Sequence, residues 1–255
     1  MLTFGCRGIC RAKSQRMDSG FYNAAIKMAS DSIRDLDACS ENLANASMPG
    51  YKRLNVSHTP FSDVLGEQVD SDTPRSTGEY TIDHTQGPLR PTDRPLDLAI
   101  EGDGYFVLSD DDKTFYSRNG NFRLSPDGTV VNTLGMAVQT TSGDLHLPPG
   151  NSMAQLTIDD ERNVRAGTRV IGQLKVVSPG DNDSLERAGS TLFTSKKPLE
   201  IDTESSVAGG FLEQSNSSMI DEMVSMMTTL RNYEACQKML RSADDVEAKM
   251  MSKLA

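Results

Sequence analysis

The sequence predicts an α+β chain: long N- and C-terminal α-helices forming a coiled-coil-like assembly region, with a central irregular antiparallel β-domain between them. Three observations predict it. An apolar heptad rhythm runs near each end, the period changes to two in the middle, and turn residues recur throughout that middle stretch. With 255 residues, 36% of them hydrophobic, the chain is long enough for one large domain or two small ones.

The first sixteen residues, MLTFGCRGICRAKSQR, carry Arg7, Arg11, Lys13 and Arg16 and no acid, in a chain of net charge -10. No apolar stretch of signal-peptide length precedes the first arginine, so the segment does not read as a secretory signal. Cys6 and Cys10 have neither zinc-pair nor redox spacing. Residues 1–16 are expected to be a disordered extension or a mis-assigned start, with the patterned chain opening at Met17.

Residues 17–50 are predicted to be an N-terminal assembly helix. Tyr22, Ile26, Ala29, Ile33, Leu36, Ser40 and Leu43 follow one another at spacings of four and three, while Lys27, Arg34, Asp37 and Glu41 fall off that stripe. Asp18 or Ser19 supplies the N-cap, and Pro49-Gly50 stops the helix. In ENLANASMPGYKR, Asn42 and Asn45 offer amides to the fraying main chain, with Asn45 the candidate for a left-handed closing position. Tyr51 is expected to pack, with Lys52 and Arg53 in solvent. Residues 51–80 then form an extended linker.

Residues 212–255 repeat the device with Met219, Met223, Met226, Leu230, Tyr233, Gln237 and Leu240, and the pattern resumes out of phase at Val246, Met250 and Leu254. Ser217 or Ser218, followed by Asp221 and Glu222, marks the helix start. Stripes this thin do not offset the ordering of such long helices, so both ends need neighbours to cover them. The chain's thirteen methionines suit a surface that adapts to several packing partners. Cys39 and Cys236 are expected to be small buried thiols.

Residues 81–211 are predicted to be the β-domain. Asn119-Gly120 and Asp127-Gly128 read as hairpin turns, and DLAIEGDGYFVLSD places apolar runs on both sides of Gly102-Asp103-Gly104. LTIDDERNVRA, VIGQLKVV and TLFTSK supply further strands.

Site chemistry is sparse. A charge of -10 repels polyanions, which argues against nucleic acid. No apolar run reaches membrane-spanning length. His58, His84 and His146 are scattered, without metal-ligand spacing. Asp110-Asp111-Asp112 lacks the ligand spacing of a calcium loop and reads as a solvated hairpin tip. Asp93 and Asp97 resemble a paired-carboxylate site only superficially. No phosphate loop or nucleophile elbow is present. No catalytic residue, cofactor, metal or small-molecule substrate is expected.

Four ordered stretches resemble one family. ENLANASMPGYKR looks like the N-terminal signature of the axial proteins of the bacterial flagellum. GPLRPTDRPLDLAIEGDGYFVL and YSRNGNFRLSPDGTVVNTLGMAVQ are similar to the central motifs of its rod and hook branch. GFLEQSNSSMIDEMVSMMTTLRNYEACQKML resembles the entry to its C-terminal helix. The likeness runs from Met17 nearly to the end. Arg94-Pro95-Leu96-Asp97 and the tail Ala243 to Ala248 look most like the proximal-rod member. Three departures are Glu161-Arg162-Asn163, where an Asp-Gly turn is common, Gln214, where Gly is common, and the basic extension before Met17.

The resemblance implies a structural subunit of the basal-body rod that polymerises into a torque-transmitting shaft. It implies other rod subunits, copies of itself and the type III export apparatus as partners, and a periplasmic location. Tyr22, Ile26, Ile33, Leu36, Leu43, Asn45, Met219, Met223, Met226, Leu230, Tyr233 and Leu240 would line its assembly interface. The alternatives are a distal-rod or hook-type subunit, or a carbohydrate-binding or enzymatic β-domain with incidental terminal helices.

Overall fold

A computed structural model describes residues 6–57, 79–110, 113–147, 156–159, 161–167, 169–180 and 185–254. The expectations for His58, for Asp111 and Asp112, and for most of the 51–80 linker lie outside the described residues.

Helix α1 spans Cys6–Asn45, so it begins ahead of Met17. Helix α2 spans Met219–Leu254, directly after Ser218 at the N-cap position and with Asp221 and Glu222 in its first turn. Between them the strands are β1 (Leu54–Ser57), β2 (Glu79–Ile82), β3 (Leu89–Pro91), β4 (Leu98–Glu101), β5 (Tyr105–Asp110), β6 (Lys113–Ser117), β7 (Arg123–Leu124), β8 (Val130–Val131), β9 (Ala137–Thr140) and β10 (Gly143–Asp144). They continue as β11 (Leu156–Ile158), β12 (Asn163–Ala166), β13 (Arg169–Gln173), β14 (Val176–Ser178), β15 (Glu186–Arg187), β16 (Leu192–Thr194), β17 (Glu200–Ile201), β18 (Ser206–Gly209) and β19 (Phe211–Glu213).

The chain divides into two compact units, residues 1–41 with 54–81 and 220–255, and residues 42–53 with 82–219. In the second unit the main sheet runs β15-β16-β6-β5-β9-β8-β7, with β14 added to β5. β11, β12 and β13 make a separate antiparallel sheet. Late strands return to early ones: β18 pairs with β4 from Ser206 opposite Glu101 to Gly209 opposite Leu98, and β19 pairs with β3 from Phe211 opposite Pro91 to Glu213 opposite Leu89.

Two apolar clusters fill this unit. Leu98, Ile100, Phe106, Leu108, Phe122 and Leu174 belong to the larger, and Tyr105, Val107, Tyr116, Val177 and Phe193 to the smaller. Alternate residues of β5 feed the two clusters because successive strand side chains point to opposite faces. The central antiparallel β-domain fits the expectation. The Asp127-Gly128 hairpin is present, with Gly128 at φ +82 between β7 and β8. Asn119-Gly120 is not a hairpin tip. Gly120 instead presses against β4, accepting a bond from Leu98 N at 3.0 Å.

The coiled-coil-like assembly region is corrected by the structure. The helices among the described residues are α1 and α2 alone, one at each end, and the large side chains of the anticipated stripe do not form a seam. Ile26 is 48% and Ile33 46% exposed, and Met219, Met223 and Leu230 are also exposed. The covered positions sit one residue earlier. On α1, Ala25, Ser32 and Cys39 are buried, with Tyr22, Ala29, Leu36 and Leu43 half-buried. On α2, Glu222 and Cys236 are buried, with Met226, Thr229, Tyr233, Leu240 and Ala243 half-buried.

The physical reason is that a heptad face has two alternating positions. Small side chains fill one of them here, and the isoleucines and methionines that suggested the stripe lie just outside it. Tyr22 donates from its hydroxyl to Asp244 Oδ1 at 2.9 Å, joining α1 to α2. Cys39 and Cys236 are both buried.

Candidate functional site

One or more residues from each of the four recognisable stretches meet at one place in the second unit. The convergence begins where α1 stops. After Asn45 the chain makes two tight turns, with Ala46 N donating to Leu43 O at 3.4 Å and Met48 N to Asn45 O at 2.9 Å, and Pro49 then prevents helix continuation. The left-handed residue is Gly50, at φ +69, and not Asn45. A Cβ at Gly50 would lie 2.3 Å from the backbone N of Asn119, so both its conformation and its contact require glycine. Asn42 accepts the Tyr51 hydroxyl at 3.0 Å inside the protein.

Lys52, expected in solvent, is 0% exposed. Its ammonium donates to Glu213 Oε1 and to Thr85 O, both at 2.7 Å. Glu213 Oε1 also accepts Gly87 N at 3.0 Å, and Glu213 Oε2 accepts Arg118 at 3.3 Å. Arg118 reaches on to Gly102 O at 2.7 Å and lies over the Tyr105 ring, 4.8 Å from its centroid. Arg187 stacks on Tyr51 at 4.7 Å and donates to Lys52 O. One carboxylate thus serves two buried cations.

Asn216 ties the main chain beside this node. Its Oδ1 accepts Arg53 N at 2.7 Å, and its amide donates to Asp83 O at 2.9 Å and Thr85 O at 3.1 Å. Gly50 N donates to Glu213 O at 2.8 Å and Gln214 N to Pro88 O at 2.9 Å. Gly87 has no room for a side chain, since a Cβ there would sit 2.1 Å from Gln214 O. Main-chain groups that no strand pairs are satisfied by this cross-linking.

The electrostatics follow from burial. Loss of solvent pushes the Lys52 ammonium below its usual range, with Glu213 opposing and Arg118 adding to the effect. His84, whose Nδ1 is 2.6 Å from the Tyr105 hydroxyl, is pushed down by burial and by Lys52 and Arg118. Burial pushes the Tyr105 hydroxyl up to about 12. Burial works to raise Asp83, but bonds from Thr85 and the charges of Lys52 and Arg53 bring it below the usual carboxylate range.

This arrangement fastens distant segments of the chain to one another. The polar groove lined by Glu161, Arg162, Gln173 and residues 203–206 lies elsewhere in the unit. Among the described residues no cluster of three or more metal-type ligands occurs, and no helix is long and apolar enough to cross a membrane. The interface residues expected from sequence fall into two sets. Ile26, Ile33, Met219, Met223 and Leu230 are exposed, while Tyr22, Leu36, Leu43, Asn45, Met226, Tyr233 and Leu240 are half-buried. Lys52, Arg118, Glu213 and Asn216 were not among the expected site residues. Each stood inside a quoted stretch, but no periodicity distinguishes a charge that turns inward from one that stays wet.

A β-domain carried between two terminal helices, whose most distinctive residues form a buried junction, defines a structural scaffold class of protein. Two family profiles match it: Flagellar hook protein FlgE/F/G D1 domain at residues 99–166, and Flagellar basal body rod FlgEFG protein C-terminal at residues 208–253. The chain is 29% identical over 245 residues to flagellar basal-body rod protein FlgF of Escherichia coli, covering 90% of this chain and 95% of that protein. Identity to FlgF of Salmonella typhimurium is also 29%, over 250 residues, covering 91% and 97%. For flagellar basal-body rod protein FlgG of Bacillus subtilis it is 27% over 242 residues, covering 83% and 90%. Along most of its length the chain is thus similar to flagellar basal-body rod proteins.

Proposed function

We propose that this chain is a structural subunit of the flagellar basal-body rod, and that its terminal helices present the surfaces by which neighbouring subunits hold it. Its relatives carry the name of basal-body rod proteins over nearly their whole length. The structural observation that carries the assembly reading is the large apolar side chains left in solvent on both helices, Ile26 and Ile33 on α1 and Met219, Met223 and Leu230 on α2. Exposed apolar side chains gathered along long helices mark a surface that partners cover. Contacts of that kind that do not close on themselves build a filament. The junction at Glu213 would then carry load between the chain's two passages at residues 50–53 and 211–216.

In this reading the partners are other rod and hook subunits and copies of the chain itself. Delivery is by the flagellar type III export apparatus without a cleaved signal peptide, and no catalytic activity is involved. Arg94-Pro95-Leu96-Asp97 and the tail from Ala243 favour a proximal place in the rod. Deletion of the gene followed by electron microscopy of isolated basal bodies tests this. Rods that are missing or cut short, with loss of swimming, are expected. Complete rods in the deletion strain would overturn the reading, and rods that stop late would move the subunit to a distal place.

A further inference from the structure

The passages at residues 50–53 and 211–216 are attached differently from the rest of the β-domain. The two apolar clusters are built from residues 98–207 with Ile82 and Leu96 at their margins, and neither Tyr51 nor Leu212 is a member of either, although both are buried. Polar contacts fasten the passages instead. Gly50 N and Gly87 N donate to Glu213, Arg53 N donates to Asn216, Gln214 N donates to Pro88, and Asn216 N reaches Tyr51 O at 3.4 Å. The 211–216 passage is thus held by the 50–53 passage, by its β19 pairing with β3 and by Gly87 and Pro88, all outside the two apolar clusters.

We propose that Glu213 and Asn216 make these two passages a single latch, which opens and closes as one cooperative unit while both apolar clusters stay formed. The coupling is electrostatic and geometric. When residues 211–216 lift away, Lys52 and Arg118 lose their shared carboxylate in a site closed to water, so the 50–53 passage is destabilised in the same event. When residues 50–53 lift, Glu213 and Asn216 lose their main-chain partners. The clusters keep their own strand pairs, β5 with β6, β9 and β14. The latch gives the chain an open state in which the segments leading to α1 and α2 are released together from an intact sheet.

Amide exchange on the full-length native chain, at rising but sub-denaturing urea, reads this directly. The amides of Gly50, Arg53, Gly87 and Gln214 should merge onto one opening isotherm, lying below that of the β5 amides of Phe106 and Leu108. Asn216→Ala should speed exchange at all four latch amides by about tenfold or more and leave the two β5 amides unchanged. Glu213→Gln should do the same more strongly, and if that variant does not fold, Asn216→Ala and Glu213→Asp carry the test. Four amides opening on separate isotherms would overturn the latch. So would latch and β5 amides sharing one isotherm in every variant.

Discussion

Lys52 and Glu213, 161 positions apart in the chain, meet at 2.7 Å in a site from which solvent is almost wholly excluded. The same carboxylate faces Arg118 at 3.3 Å, so the node holds more positive than negative charge. Removing the acid and removing one base are therefore unequal changes. Glu213→Gln leaves two buried cations uncompensated and is expected to cost about 3–5 kcal/mol. Lys52→Met keeps the Glu213–Arg118 pair and fills the same volume, so it should cost clearly less. Urea unfolding at neutral pH measures both, and the reverse order would show that Glu213 is not the common counter-charge.

Glycine at two positions separates a steric requirement from a conformational one. A Cβ at Gly120 would stand 1.7 Å from Leu98 O, whereas Gly135 has φ +95 and nothing within 4 Å. Gly135→Ala should cost only the strain of a left-handed alanine, about 1–2 kcal/mol. Gly120→Ala must push β4 away from the loop after β6 and should cost more, enough to weaken the Leu98–Gly120 bond. Thermal melts of the two variants give the order, and equal melting temperatures would contradict the close approach.

A pH dependence follows from His84. Burial first, then the charges of Lys52, Arg118 and Arg187, hold it below its ordinary 6.5, with Asp83 pulling the other way. As pH falls through that value, the unfolded chain takes up a proton that the folded chain refuses, so stability declines on acidification and is flat above. The urea midpoint should therefore drop between about pH 7 and pH 5, and His84→Gln should remove part of that slope. Asp83 and Asp202, whose folded values are also depressed, add slope at lower pH in both proteins. A variant with an unchanged profile would mean that His84 protonates freely in the folded state.

What the sequence revealed and what it hid have a physical division. Local rules worked where a residue answers to its neighbours: Pro49 ends α1, Ser218 precedes α2, and Gly128 turns β7 into β8. They failed where the partner is distant. Lys52 reads as a wet lysine because nothing within ten residues calls for burial, and its acid arrives only at Glu213. Asn119-Gly120 has hairpin composition, but its task is to approach β4 and Gly50. Arg162 occupies a left-handed position at φ 65, where the family's Asp-Gly turn would place glycine, and its guanidinium bonds Asp202 O across the unit. On the helices the heptad period was legible and its phase only half so. Apolar side chains flank the covered face, and an amphipathic pattern cannot tell a face packed within the chain from one offered to a partner.

That phase error supplies the last prediction, because adjacent residues on α1 now have opposite roles. Ser32 is buried and bonds Met28 O at 2.9 Å, while Ile33 beside it is exposed. Ser32→Leu forces extra volume into a face lined by Ala25, Ala29 and Cys39 and should destabilise the isolated chain by about 1–3 kcal/mol. Ile33→Asp places a charge in solvent in the free subunit and should change its stability by less than about 1 kcal/mol. In a rod, the same aspartate would meet an apolar neighbour without a counter-charge, and a strain carrying only this variant should swim poorly or not at all. Thermal melts of the purified proteins, paired with swimming assays, separate the two effects. If Ile33→Asp melts early and Ser32→Leu does not, the covered face is the one the isoleucines first suggested.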